Sequence, residues 1–470
     1  MGTLLISDPL YEAVVRAPLE ARTSRARKGR ETIGITKRYA RFAPQAALLK
    51  WPCRKPDSYL LTPFALATPN PDNRPIIPIC GAGPFASLEC EDSLVSYSVV
   101  ISGTGLWTPE QTITNDELVE SFNEYVKRFN EKNAQAIEAG EVEALGPSDS
   151  AFIEKASGIK QRFVIDKSGI LDPEKMAPNI AERSDDDVSI QAEIAVKAAK
   201  QALENANLTA DDLDAVLVAC SNMQRPYPAM AVEVQAALGM DHGWGYDMNV
   251  ACSSATFGIQ AGVDAIRNGS ARRVLMVNPE ICSGHLAWED RDCHFIFGDV
   301  ATAVILERKE DATSANQWEV LGTRLQTKFS NNIRNNFGFL NRADESCVGA
   351  RDKLFRQEGR RVFKEVCPMV AEQISSHLSD TGVAVESLSR MWLHQANLSM
   401  NELISKRVLG RPATREEAPV ILDDYANTSS AGSIIAFHKY NADLPVDTKG
   451  VICSFGAGYS IGSVIVNRIK

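Results

Sequence analysis

The chain has 470 residues, 50 basic and 60 acidic side chains, a net charge of −10 and a hydrophobic fraction of 44%. This is the make-up of a soluble globular protein, either one large α/β unit or two to three ordinary domains. The acidic balance excludes a broad nucleic-acid face, which needs many phosphate-neutralising cations. No apolar run approaches the ~20 residues that span a bilayer, and the Met1 end lacks the layout of a secretory signal. The expected location is therefore the cytoplasm, with no membrane partner.

Residues 1–96 carry about half the prolines and the basic run RTSRARKGR, and they lack a sustained period of 2 or 3.6. Such a segment cannot bury enough apolar area to fold, so disorder is expected there. Three explanations fit it: a targeting peptide, a regulatory tail, or a dispensable, non-native extension from an upstream start. Acidic residues at Asp8, Glu12 and Glu20 count against a transit peptide. With 13 basic against 9 acidic residues in this stretch, the remainder carries −14.

Order is expected from YSVVISGTGLWTP, residues 97–109, where a β-branched run ends in Gly-Thr-Gly as a strand feeding a tight turn would. The polar stretch from Asn115 to Met176 predicts one or two surface helices over a binding site. Beyond it SIQAEIAVKAAKQALENA (189–206) reads as an amphipathic helix, and DAVLVAC (214–220) and RVLMVN (273–278) read as buried strands. This alternation predicts a layered α/β fold. The ten cysteines are scattered singly, with no CxxC pair and no zinc spacing, which predicts reduced thiols and no metal.

The order of elements repeats. Helix 189–206, strand 214–220 and the helix after Cys252 are echoed by helix 358–379, strand 390–394 and a helix beginning near Ser429. Each half closes on paired strands, 273–278 with 300–307 and 450–455 with 460–467. YDMNVACSSATFG and DDYANTSSAGSII both run from an extended segment into small residues that open a helix, with Cys252 at one opening and Asn427 at the other. His394, in WLHQANLS, ends a strand. A cysteine at a helix N-terminus meets the positive end of the macrodipole, which favours thiolate. Each residue alone has a plainer explanation: a packed thiol, a structural histidine, a helix cap. Their coincidence at matching element ends favours a nucleophile with two polar partners.

DMNVACSSATFG, IFGDVATAVIL, WLHQANLS, DYANTSSAGS and SFGAGYSIGSVIV together make the chain from Tyr97 to Lys470 resemble the β-ketoacyl-acyl-carrier-protein synthase III family, a branch of the thiolase-fold condensing enzymes. The resemblance implies two similar βα halves (97–310 and 311–470) in a layered αβαβα core. It implies a catalytic triad of Cys252, His394 and Asn427, and an oxyanion hole from the backbone N–H groups of Cys252 and Ala457. The implied reaction is decarboxylative condensation of an acyl-CoA or acyl-carrier thioester with malonyl-acyl carrier protein. CoA or phosphopantetheine enters as part of the substrate, and no separate cofactor is implied. A homodimer follows as well, with Tyr227 of RPYPAM lining the partner's acyl pocket. Phe455 and Arg291 are implied substrate contacts.

Two departures stand out. Where the family has a tryptophan and an arginine around the CoA adenine, this chain has Phe152 and Ala156, which disfavours acetyl-CoA as primer and points to a longer, medium-chain donor. Ser399 replaces an arginine that meets the carrier protein, leaving Lys406, Arg407 and Arg411 as candidate docking cations, with Arg267, Arg272 and Arg273 as further candidates. Fold alone leaves other thiolase-fold chemistry open: acyl transfer, non-decarboxylative condensation, or a non-catalytic binding subunit.

Overall fold

The structure, a computed structural model, describes residues 96–470, and the expectation for the N-terminal extension lies outside the described residues. β1 (Val99–Trp107) opens the fold. β2 (Gln111–Thr114) and β3 (Gln161–Val164) then frame α1 (Asn115–Lys132), α2 (Ala134–Glu138) and α3 (Ser150–Ser157). α4 (Ile190–Ala206), β4 (Ala215–Ala219), α5 (Met230–Leu238), β5 (Trp244–Met248), α6 (Ser254–Arg267), β6 (Arg273–Glu280) and β7 (Val300–Arg308) complete a first half. The second begins with β8 (Trp318–Ser330) and the two-residue strands β9 (Ile333–Arg334) and β10 (Arg356–Gln357). It continues through α7 (Gly359–Asp380), β11 (Leu388–Leu393), α8 (Leu398–Leu409), α9 (Leu422–Tyr425), α10 (Gly432–Lys439), β12 (Lys449–Gly456) and β13 (Gly458–Arg468).

Nine strands hydrogen-bond in the order β5-β4-β6-β7-β1-β8-β13-β12-β11. Strands within each half pair extensively, β6 with β7 and β12 with β13 both antiparallel. The sheets of the two halves join where β1 pairs with β8, at Val100 with Glu319 and Ile101 with Trp318. Residues from both sheets pack on one core that also holds Ala255, Ile259, Val263 and Ile266 of α6 and Ile434, Ile435 and Phe437 of α10. These two helices are thus the middle layer. α4 and α5 cover the outer face of the first sheet, and α7 and α8 that of the second, giving the expected five layers.

Local sequence explains these placements. Ser189 caps α4 by accepting from the Ala192 N–H, and Asn207 ends it in the left-handed region. Its alanine face presses close to β1: a Cβ on Gly103 would lie 2.2 Å from the Ala202 carbonyl oxygen, and one on Gly105 1.9 Å from that of Ala198. The Gly-Thr-Gly expected to end a strand in a tight turn therefore lies inside β1, because close helix-on-sheet approach, rather than a turn, demands the missing side chains. The polar stretch after Asn115 does form surface helices. The Thr114–Glu117 capping box starts α1, whose Leu118, Phe122 and Val126 pack with Trp288, Phe295 and Phe297 above the sheet ends.

The duplication extends to backbone detail. Val250 and Thr428 have φ/ψ of −127/36 and −104/33, and each leads into a 3-10 turn, Ala251–Ser253 and Ser429–Ala431, that runs into α6 or α10. Ala251 and Ser429 both have positive φ, 47° and 50°. Asn249 Oδ1 accepts from Ala251 N at 2.9 Å, and Asn427 Oδ1 accepts from Ser429 N at 2.9 Å. This corrects the alignment of the halves: Asn427 is the counterpart of Asn249, and the position equivalent to Cys252 is Ser430.

Candidate active site

Three chain segments deliver the three polar residues to one place. Cys252 sits in the 3-10 turn before α6. His394 directly follows β11, its N–H bonded to the Cys453 carbonyl at 2.8 Å as a continuation of the sheet. Asn427 lies on a short strand-like bridge to Phe297, with Asn427 N donating to the Ile296 carbonyl at 2.9 Å and Gly298 N to the Asn427 carbonyl at 3.1 Å. The FGD motif thereby acquires a task. A Cβ on Gly298 would lie 2.6 Å from the Tyr425 carbonyl oxygen. Asp299 accepts from Ser283 N, Ser283 Oγ and Ile165 N at 2.8, 2.7 and 2.9 Å, fastening the segment that holds Asn427.

Cys252, His394 and Asn427 line a single cavity of about 220 Å³, with Phe295, Phe455, Gly456, Phe363 and Asn397 among its other walls. A second cavity of about 410 Å³ adjoins it across the sulfur, walled by Asn249, His285, Asn331, Phe337, Ser429 and Ala457. Cys252, Phe297, Ile333 and Phe355 belong to both cavities, so the thiol stands at their junction. Asn427 Oδ1 is occupied by Ser429 N, which turns its NH₂ end away from that bond as a free donor. Phe455 meets the His394 ring edge-on at 5.1 Å and 84°.

The electrostatics differ from the thiolate expectation. Burial pushes the Cys252 thiol up to about 11, against a hydrogen bond from Ser429 Oγ at 3.5 Å and the backbone N–H groups of Cys252 and Ala457, which pull it down. Burial likewise lowers His394 to about 3, with the Ser429 carbonyl opposing. The cysteine precedes the α-helix by a 3-10 turn and is partly buried where the two cavities meet, and there desolvation outweighs the macrodipole. At rest both partners are neutral.

The sequence-predicted contacts divide. Ala156 lines the first cavity, its carbonyl accepting from Asn397 Nδ2 at 2.7 Å. Arg291 stacks over Phe152 at 4.9 Å, and Phe152 packs edge-on against Phe295 of the cavity wall, so this pair sits one layer behind the lining. Tyr227 is 82% exposed and lines neither cavity of its own chain. Lys406 and Arg407 stand exposed at the far end of α8, about 14 Å along its axis from Asn397, without an ion pair among the described residues. Arg411 departs from expectation: both of its terminal nitrogens bond Glu417, which neutralises the cation. Arg272 and Arg273 are similarly engaged by Asp311 and Glu307.

Ser429, Gly456 and the second cavity's asparagine-rich wall were absent from the sequence-based site. Ser429 lay within the recognised ANTSSA motif, whereas the walls come from remote segments with no local pattern. A Cβ on Gly456 would lie 2.6 Å from Cys252 Cβ and 3.1 Å from its sulfur. Gly456→Ala is therefore expected to leave a folded protein whose Cys252 acylates at least ~10-fold more slowly, because the sulfur must shift. A wild-type acylation rate alongside a native circular-dichroism spectrum would contradict this.

The family profile described as 3-oxoacyl-[acyl-carrier-protein] synthase III matches residues 246–328, and that of its C-terminal region matches residues 378–468. A β-ketodecanoyl-[acyl-carrier-protein] synthase of Pseudomonas aeruginosa is 64% identical over 350 residues, which are 74% of this chain and 100% of that protein. A β-ketoacyl-[acyl-carrier-protein] synthase III of Granulibacter bethesdensis is 28% identical over 372 residues, covering 78% and 98%. Among solved structures, 3-oxoacyl-(acyl carrier protein) synthase III of Pseudomonas aeruginosa superposes with a TM-score of 0.62 at 22% identity, over 79% of this chain and 99% of that one. The layered fold is that of the thiolase-like condensing enzymes. Within that class the chain belongs to the β-ketoacyl-[acyl-carrier-protein] synthase III family, whose members are acyltransferases. Among the described residues no helix is long and apolar enough to cross a membrane, and no group of three or more His, Cys, Asp or Glu side chains is placed to hold a metal ion.

Proposed function

We propose that the protein condenses a medium-chain acyl thioester with malonyl-acyl carrier protein, with Cys252 as acyl acceptor and His394 and Asn427 as enolate-stabilising donors. The supporting observation is the meeting of these three side chains in one cavity at the junction of two chambers. In the first half-reaction the Cys252 sulfur attacks the donor thioester. Its own C–S bond forms, the donor C–S bond breaks, and the released thiol carries away the proton that Cys252 loses. In the second, the malonyl C–C bond breaks, CO₂ leaves, and the electron pair becomes an enolate whose oxygen faces the His394 and Asn427 donors. The enolate carbon bonds the acyl carbonyl carbon, the acyl C–S bond breaks, and the departing Cys252 sulfur takes a proton from solvent. The backbone N–H groups of Cys252 and Ala457, which face the sulfur, are the proposed donors to the acyl oxyanion.

The 64% identical relative is named for a β-ketodecanoyl product, which requires an eight-carbon primer once two carbons come from malonyl. The same primer is proposed here, in keeping with Phe152 and Ala156 where an adenine clamp would otherwise stand. A cytoplasmic homodimer is part of this proposal: the exposed Tyr227 suits a partner's pocket, and the seven described cysteines are all unpaired. The test compares octanoyl-CoA with acetyl-CoA as donors to malonyl-acyl carrier protein and maps the adduct by peptide mass. Each added methylene contributes up to ~0.8 kcal/mol on burial, so at least ~10-fold preference for octanoyl is expected, with the adduct on Cys252. Equal turnover would remove the chain-length assignment, and an adduct elsewhere would overturn the mechanism.

A further inference from the structure

One buried charge beside the nucleophile has no place in the steps above. Glu280 ends β6, is 1% exposed, and has no ion-pair partner among the described residues. Five donors converge on its carboxylate instead: Ser221 N at 3.0 Å, Ser430 N at 3.1 Å, the hydroxyls of both serines, and Cys282 Sγ at 3.7 Å. Ser221 follows β4 of the first half, and Ser430 belongs to the turn that opens α10 of the second, so the carboxylate ties the two halves together beneath the site. Burial raises the Glu280 carboxyl above its ordinary range, and the serine donors oppose that by favouring the ionised form.

The neighbour of Ser430 is Ser429, whose hydroxyl donates to the Cys252 sulfur and whose φ of 50° is a conformation that a non-glycine residue keeps only when held. Glu280 provides that hold one residue away. We propose that Glu280 is a positioning residue that fixes the Ser429–Ser430 turn against the nucleophile and, as the negative charge beneath it, keeps Cys252 a thiol until an acyl thioester is seated. This rests on Cys252 being the acyl acceptor.

The charge pattern around the sulfur agrees. Burial raises the thiols of Cys252, Cys220 and Cys282, and the Glu280 charge adds to the rise in each. Asp247 on β5 acts in the same sense on Cys220, and Asp299, before β7, on Cys282, while the imidazoles of His394 and His285 are neutral. Such a setting is the reverse of the electropositive surroundings that create a standing thiolate, and a thiol resists oxidants and alkylating agents to which a thiolate succumbs.

The test follows iodoacetamide alkylation of Cys252 in the full chain across about pH 7 to 12, together with acyl transfer from octanoyl-CoA, in wild type, Glu280→Gln, Glu280→Asp and Ser430→Ala. Glu280→Gln is expected to move the alkylation midpoint down by about one pH unit, which is about tenfold faster alkylation below the midpoint, while acyl transfer slows at least ~10-fold. Glu280→Asp is expected to restore both. Ser430→Ala keeps the charge, so its midpoint stays at the wild-type value while transfer slows. An unmoved or raised midpoint in folded Glu280→Gln overturns the electrostatic role, and wild-type transfer in Ser430→Ala overturns the positioning role even if Glu280→Gln fails to fold. Failure of wild-type Cys252 to accept an acyl group is a separate outcome: it defeats the functional assignment and leaves the thiol titration readable.

Discussion

His394→Ala and Asn427→Ala are each expected to lower release of CO₂ from malonyl-acyl carrier protein by about 10²- to 10³-fold, or roughly 3 to 4 kcal/mol of transition-state stabilisation, while Cys252 still takes up an acyl label. Both groups are prepared as neutral donors. The Asn427 carbonyl oxygen is occupied by Ser429 N at 2.9 Å, which fixes its NH₂ end as the free one. Burial holds His394 near 3, so across the neutral range its ring remains an imidazole that donates one N–H without surrendering the proton to the enolate. The decarboxylation rate should accordingly show no titration near 6.5, the ordinary histidine value. Asn427→Asp, which places an acceptor where a donor belongs, should be at least as damaging as Asn427→Ala. Measuring labelled CO₂ release alongside acyl-enzyme formation separates the two half-reactions. Normal decarboxylation in either alanine variant would remove the residue from its role.

The neutrality of His394 and Cys252 bears on how the first half-reaction begins. Burial raises the thiol to about 11 and lowers the imidazole to about 3, both against a standing thiolate–imidazolium pair. The thiol must therefore ionise as the donor thioester is seated, when the Cys252 and Ala457 N–H groups become available to the developing oxyanion and the departing thiolate takes the proton. Gly456 is part of the same arrangement, since its missing side chain lets β12 press against the cysteine.

Much of this was legible because duplication left parallel traces in the sequence. VACSS and NTSSA read as matching helix openings, and alternating helix and strand patterns located β4, β6, β11 and both long outer helices. The match did not reach individual residues, since composition alone did not reveal that Asn249 and Asn427 make the same turn-closing bond. Gly103 and Gly105 misled for a related reason: sequence shows a missing side chain without showing the helix backbone that needs the space. The thiolate expectation failed because a macrodipole is a local property, whereas desolvation depends on β12, α10 and the Phe297 segment closing round the sulfur from far along the chain. Arg411 illustrates the same limit, its Glu417 partner being invisible to a count of cations.

Acid should unfold this protein early, and the cause lies in its histidines. Burial lowers His394 to about 3 and His285, His294 and His377 to about 4. Each therefore binds a proton near 6.5 when unfolded and resists one when folded. The stability this contributes is complete above about pH 6.5 and is lost as pH falls towards 4, by up to about 3 kcal/mol per histidine at the lower limit. Asp299 works in the opposite sense. Burial raises it to about 6, so the folded state holds a proton that the unfolded state has released, and its contribution is present at low pH and lost as pH rises from about 4 to 6. Glu280, also raised, adds to that opposition. The lowered imidazoles, His438 among them, outnumber these two carboxylates, so unfolding takes up protons on balance as pH falls below about 6 and stability falls with it. Urea melts should then show a midpoint nearly constant from about pH 7 to 8 and falling steeply below about 6.5, with an unchanged m-value. A flat midpoint down to pH 5 would mean that these histidines are hydrated or paired in the native protein, and the description of His394 as a dry, neutral donor would fall with them.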